Sequence, residues 1–161
     1  MRTKRTLKDL DAIDRRILQV LQKDGRISNV DLAEKIHLSP TPCLERVRRL
    51  ERDGFIDGYV AVLNPDRLEA GLLAFVQISL DRTTPDVFER FAKAANGEPA
   101  IVECHMVAGG FDYLLKVRVA DMDAYRRFLG AGLSTLPGVR ETHTYMVMEQ
   151  VKRSTEVALT L

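Results

Sequence analysis

At 161 residues, with 45% hydrophobic and 29% charged positions, the chain has the composition of a folded globular protein and excludes a disordered or fibrous one. The formal net charge is only +1, yet residues 1–54 hold 13 Lys and Arg against 9 Asp and Glu, while residues 55–161 hold 11 against 14, so a polyanionic partner would meet the first third of the chain. No apolar run is long enough to cross a bilayer and Met1 to Lys8 lacks the apolar centre of a secretory signal, which excludes a membrane partner and points to the cytoplasm.

A basic arm occupies residues 1–8. Leu10, Ile13, Ile17, Val20 and Leu21 then recur at spacings of three and four, the stripe of a first helix that ends near Gly25. Ser28 followed by Asp31 marks a second helix start, with Leu32, Ala33 and Ile36 as its short apolar face and a stop near His37. Ser39 offers a side-chain cap and Pro40 occupies the first turn of a third helix, whose buried stripe is expected to be Leu44, Val47 and Leu50 and whose left-handed exit suits Gly54. Phe55 to Leu63 is rich in aromatic and β-branched residues around Gly58 and reads as a wing hairpin, closing a winged helix-turn-helix over residues 9–63. Asn64-Pro65-Asp66 opens a hinge over 64–71.

From residue 72 to 152 strands and helices alternate. Leu72, Ala74, Val76, Ile78 and Leu80 share one strand face, and Thr84-Pro85 opens a helix with Val87, Phe88 and Phe91 inside. Ile101 to Val107 and Phe111 to Val119 flank Ala108-Gly109-Gly110 as a hairpin. Met122, Tyr125, Phe128, Leu129, Leu133 and Leu136 form the stripe of one more helix, and Val139 to Glu149 is the last strand, leaving a tail over 153–161. The order βαββαβ predicts a ferredoxin-like sandwich, so the fold class is α+β. Two small domains bury limited surface each, which favours an oligomer that shares core between subunits.

Three short helices with a tight connection before the third match a helix-turn-helix, which presents its third helix to the major groove of double-stranded DNA. With Leu44, Val47 and Leu50 turned inward, the outer face would carry Thr41, Pro42, Glu45 and Arg49, with Arg46 and Arg48 at its margins. Arg46 or Arg49 would read guanine, and Ser28, Asn29 and Ser39 near helix N-termini would suit phosphates. Cys43 and Cys104 lie in different halves and read as buried thiols.

Asp9-Leu10-Asp11, Gly25-Arg26-Ile27-Ser28-Asn29, Leu38-Ser39-Pro40-Thr41-Pro42-Cys43, Arg46-Val47-Arg48-Arg49-Leu50-Glu51, Gly109-Gly110-Phe111-Asp112-Tyr113 and Leu136-Pro137-Gly138-Val139 together resemble the Lrp/AsnC family of feast/famine regulators. The likeness runs through nearly the whole chain, apart from the basic arm and the residues after Lys152. It implies a transcription regulator whose second domain is an amino-acid-responsive RAM-type module. It also implies dimers formed through the sheets and joined into an octamer or larger ring, with the effector, leucine foremost, held between dimers. The residues matching its effector motifs are Met106, Val107, Ala108, Gly109, Gly110, Asp112, Met122, Tyr145, Met146 and Val147. Gly109 and Gly110 would let amides approach a carboxylate, Asp112 would accept from an ammonium, and the methionines would adapt to an aliphatic side chain.

Two other readings compete. An enzyme would have to work with Cys104, His105, Asp112 and Tyr113, but Cys104 and His105 are adjacent on a strand and face opposite ways, and His37, His105 and His143 lack metal-ligand spacing. No catalytic residue, metal or cofactor is expected. An architectural protein that organises the nucleoid would use the same DNA-binding helices with little ligand response.

Overall fold

The computed structural model describes residues 6–159, so Met1 to Arg5 of the basic arm and the last residues of the tail, 160–161, lie outside it. The described residues form two compact units, one running to Val62 and resuming at Lys152, the other spanning Leu63–Val151.

The first unit is built on three helices, α1 (Ala12–Leu21), α2 (Asn29–Lys35) and α3 (Pro40–Arg52), preceded by a single 3-10 turn at Leu7–Asp9. The Asp11 carboxylate caps α1 by accepting from the Asp14 amide at 2.8 Å, and Ser28 caps α2 through the Asp31 amide at 3.1 Å. His37, in the left-handed region at φ 58°, turns the chain from α2 toward α3, and Gly54 at φ 76° ends α3. Leu10, Ile17, Leu18, Leu32, Ala33, Ile36, Cys43 and Leu50 make one core.

Three expectations change here. The buried face of α3 runs through Cys43 and Leu50, while Leu44 is 37% exposed. Positions 43 and 50 are seven apart and almost eclipse each other, whereas 44 and 50 stand about 120° apart on a helix of 3.6 residues per turn. Ser39 precedes α3 without a side-chain cap bond; Pro42, at the third helical position, has no amide to donate to it. No strand forms over 55–64 among the described residues: Phe55 and Ile56 pack on the helical core, and Val60, Val62 and Leu63 continue as exposed extended chain. Gly58 does not adopt the positive φ of a tight hairpin turn, so the segment does not fold back on itself as a hairpin.

The described part of the tail is not a loose end. The Val157 amide donates to Gln22 Oε1 at 3.0 Å, and Leu159 packs against the helical core. With Leu7, Leu18, Leu21, Phe55 and Tyr59 it borders a groove of about 430 Å³.

The second unit contains β1 (Leu72–Leu80), α4 (Pro85–Asn96), β2 (Ile101–Met106), β3 (Tyr113–Val119), α5 (Met122–Arg127) and β4 (Val139–Met146). The strands form one antiparallel sheet in the order β2-β3-β1-β4. The hinge residues Pro65–Leu68 wind into a short 3-10 turn ahead of it. Ala74, Val76, Ile78, Leu80, Tyr113, Leu115 and Val117 line one sheet face, covered by Val87, Phe91, Ala95, Tyr125, Phe128, Leu133 and Leu136 from the helical layer. Phe91 stacks on Tyr113 with ring centroids 4.3 Å apart. The opposite face carries Phe75, Gln77, Leu114, Lys116, His143 and Tyr145 in register and has no helix of this unit against it.

The helix expected from Met122 to Leu136 breaks into α5, a widened π turn at Phe128–Gly132 and a 3-10 turn at Leu133–Thr135. Gly130 and Gly132 weaken the helix there, and the Thr135 hydroxyl bonds back to the Gly132 carbonyl at 2.8 Å. Met122, expected in the buried stripe, is 50% exposed at the start of α5. The last strand ends at Met146 rather than Glu149, with one further bond from the Val147 amide to the Leu73 carbonyl at 2.9 Å.

Candidate functional site

On α3, Thr41, Glu45 and Arg48 are exposed and Pro42 is half-buried. Arg49, expected on the outer face, and Arg46, expected at its margin, instead reach back to α1. Arg46 Nη1 donates to Asp11 Oδ2 at 2.6 Å and to Asp14 Oδ1 at 2.8 Å, and Arg49 Nη2 donates to Asp14 Oδ2 at 2.5 Å. The cause is the rotated register of α3: the face that buries Cys43 also carries position 46 toward α1. The Asp14 side chain is 3% exposed, so the charge is buried and compensated on both oxygens.

The electrostatics follow. Desolvation pushes the Asp11 carboxyl up, but the Asp14 amide and the Arg46 guanidinium outweigh it and hold the group below the ordinary carboxylate range. Hydrogen bonds to Asp11 and Asp14 raise Arg46 further above its already high value. The sequence singled out neither aspartate. For Asp14 the signal was an acidic side chain inside the apolar stripe of Leu10, Ile17, Leu18 and Leu21, a place where a carboxylate must find partners.

Three expected phosphate ligands sit around the N-termini of α2 and α3. Ser28 is exposed, and its hydroxyl donates to Asp31 Oδ2 at 2.6 Å. Asn29 is half-buried, and its Nδ2 donates to the Pro40 carbonyl at 2.8 Å, bracing the turn between the two helices. Ser39 is exposed. Behind α3, the Tyr59 phenol donates to Glu51 at 3.0 Å; desolvation and then that carboxylate push its pKa up to about 12. Burial raises the Cys43 thiol, which leaves it unreactive as an apolar core residue.

The residues matched to an effector site fall into two groups. Met106 is 59% exposed at the end of β2, and Val107, Ala108, Gly109, Gly110 and Asp112 form the connection to β3. That connection is held at the C-terminal end of β1, where the Asp112 amide donates to the Ile78 carbonyl at 2.8 Å and Asp112 Oδ2 accepts from the Leu80 amide at 2.7 Å. Asp112 therefore spends one carboxylate oxygen on the sheet, and Gly109 and Gly110 have open space where a Cβ would sit. Tyr145 and Met146 pair with Phe75 and Ala74 at the other end of β1, the Val147 amide bonds Leu73, and Met122 follows the end of β3 that pairs with Leu72. From Leu73 to Ile78 the strand runs roughly 16 Å at about 3.3 Å per residue. One chain does not bring the two groups together.

Cys104 and His105 face opposite ways, paired with Leu115 on the core side and Leu114 on the other. Among the described residues no three potential metal ligands cluster, and no helix is long and apolar enough to cross a membrane.

A winged helix-turn-helix DNA-binding family matches residues 10–57, and the Lrp/AsnC ligand binding domain matches residues 73–157. The chain is 62% identical over 156 residues to the leucine-responsive regulatory proteins of Klebsiella pneumoniae and Escherichia coli K12, covering 97% of its own length and 95% of theirs. A Neisseria meningitidis transcriptional regulator solved as its L-Met complex superposes with a TM-score of 0.89 at 38% identity, covering 93% of this chain and 97% of that one. An AsnC family transcriptional regulator from Agrobacterium tumefaciens gives 0.89 at 35% over the same shares. The chain therefore belongs to the Lrp/AsnC family: it is a DNA-binding transcription regulator and not an enzyme, with a winged helix-turn-helix followed by the family's ligand-binding domain.

Proposed function

We propose that this chain is a sequence-specific regulator of amino-acid metabolism genes, working in the cytoplasm at the nucleoid, and that an amino acid, leucine foremost, changes its assembly or its DNA affinity. The observation that carries the proposal is the outer face of α3, with Thr41, Glu45 and Arg48 exposed on a unit whose apolar helix faces meet in a core. That face enters the major groove, where Arg48 donates to guanine or phosphate and Thr41 and Pro42 meet thymine methyl groups. Ser28, Asn29 and Ser39 contact the flanking phosphates.

The effector half of the reading draws on relatives named for leucine and on one solved with L-Met, both aliphatic amino acids. An exposed glycine loop beside Met106 suits the α-carboxylate and α-ammonium ends of such a ligand, and Met122, Tyr145, Met146 and Val147 suit its side chain. Since one chain keeps these groups apart, a second copy supplies the missing half, and dimers join into an octamer or larger ring. A ligand that binds between copies shifts assembly by its differential affinity for the assembled form.

Footprinting on duplexes at graded salt, with and without leucine, tests the reading. Defined sites whose protection shifts with leucine are expected; a uniform coating indifferent to leucine would overturn it in favour of an architectural protein. Gly109→Arg, placed where added bulk meets open space, should abolish the leucine response and keep the footprint. A retained response removes the loop from the effector site.

A further inference from the structure

We propose that Asp11 and Asp14 form a two-tier internal counter-anion for α3, in which Asp14 permanently orients Arg46 and Arg49 while Asp11 is the exchangeable partner that a DNA phosphate displaces from Arg46. The inference rests on α3 being the DNA-facing helix. It makes Asp11 a specificity-determining residue that never touches DNA.

The two carboxylates differ in what they can give up. Asp14, with its side chain 3% exposed, spends Oδ1 on Arg46 and Oδ2 on Arg49. Pulling either arginine away would leave one oxygen of a buried carboxylate unpaired, so this tier stays closed when DNA binds. Asp11 is 51% exposed; its Oδ1 caps α1, and only its Oδ2 holds Arg46. That contact is a surface ion pair, weak in water, and its loss leaves the helix cap in place. Arg46 is itself 26% exposed, which gives an incoming phosphate oxygen a path to the same guanidinium. Arginine has five donors in a fixed fork, so the phosphate replaces Asp11 without disturbing the bond to Asp14.

Charge accounting explains what the device does. Within α3, Arg46, Arg48, Arg49 and Arg52 face Glu45 and Glu51, and the two aspartates of the α1 segment bring this group to neutrality. A passing duplex of any sequence therefore feels little attraction from it. Only a duplex that seats a phosphate against Arg46 recovers the masked charge. Random DNA is penalised more than a site that fits.

Asp11→Asn tests this, because Asn keeps the capping acceptor and removes the charge; Asp11→Ser does the same if the first variant folds poorly. The full-length wild type, D11N, R46A and the double variant are titrated across a salt series. The probes are a random-sequence duplex and a duplex selected from a random pool by the wild type. D11N should bind the random duplex about threefold tighter at low salt, with a steeper salt dependence and a smaller gain on the selected duplex. The gain should vanish in the R46A background. No gain, or the same gain without Arg46, overturns the proposal. Arg48→Ala separates the two levels: unchanged binding of that variant sinks the DNA-facing reading of α3, whereas weakened binding with additive D11N and R46A effects sinks the counter-anion alone.

Discussion

Asp14 shows how one residue joins stability to function in the helical unit. Its carboxylate is out of water and both oxygens are taken by guanidinium groups from a helix more than 30 residues away in the chain. Asp14→Ala removes the shared partner, leaving Arg46 held by Asp11 alone and Arg49 without this carboxylate, a change expected to cost roughly 3 kcal/mol. The arginines remain partly hydrated, which keeps the figure at the lower end of such deletions. Urea unfolding measures it, and a loss below about 1 kcal/mol would mean that solvent replaces the carboxylate without strain. The residue types at this site were readable from the sequence, but their direction was not. Leu44 and Cys43 are both plausible core residues, and a choice between neighbours rotates α3 by about 100° and reassigns Arg46 from base reader to interhelix ion pair.

At the scale of elements, the sheet owes its register to pairs as well as to its core. On the face without helices, Lys116 of β3 donates to Glu103 of β2 at 2.6 Å. That hydrogen bond, opposed by desolvation and aided by His105, holds the Glu103 carboxyl below its ordinary value of 4.5. A depressed folded value means that the stabilisation is fully present above the unfolded value and is lost as pH falls through the folded one. The stability difference between wild type and Glu103→Gln should therefore be largest above about pH 5 and shrink on acidification. A difference independent of pH would assign the effect to packing. The helices and strands were largely legible because their apolar periods are long. The wing and the helix after Val119 were not. A β-rich segment needs a partner strand to become a strand, and Gly130 with Gly132 lets the chain widen where an unbroken stripe suggested a regular helix.

Over the whole molecule, the residues proposed to hold the effector fall into two separated groups, the loop beside Met106 at one end of β1 and Tyr145 to Val147 with Met122 at the other. If copies of the chain complete each other, a variant defective in one group complements a variant defective in the other. Subunits carrying Gly109→Arg and subunits carrying Met122→Arg, each unresponsive alone, should regain part of the leucine response when dissociated, mixed and reassembled. Isothermal titration of the mixture reads this directly; no recovered binding would place the whole effector site within a single chain. Packing of the described tail onto the helical unit belongs to this scale too, since Gln22 and Val157 are 135 positions apart and no local pattern links them.

The sequence by itself determined the family, the α+β order of elements and the split of charge, because these reside in local periodicity, in caps and breakers such as Ser28, Pro40 and Gly54, and in motifs spread over nearly the whole chain. Tertiary structure alone decided which arginines face solvent, which end of the sheet holds each proposed effector residue, and where the described part of the tail rests. Those outcomes depend on contacts between residues far apart in the chain, and a rotation of one helix by a single position, too small to alter any local pattern, is enough to change them.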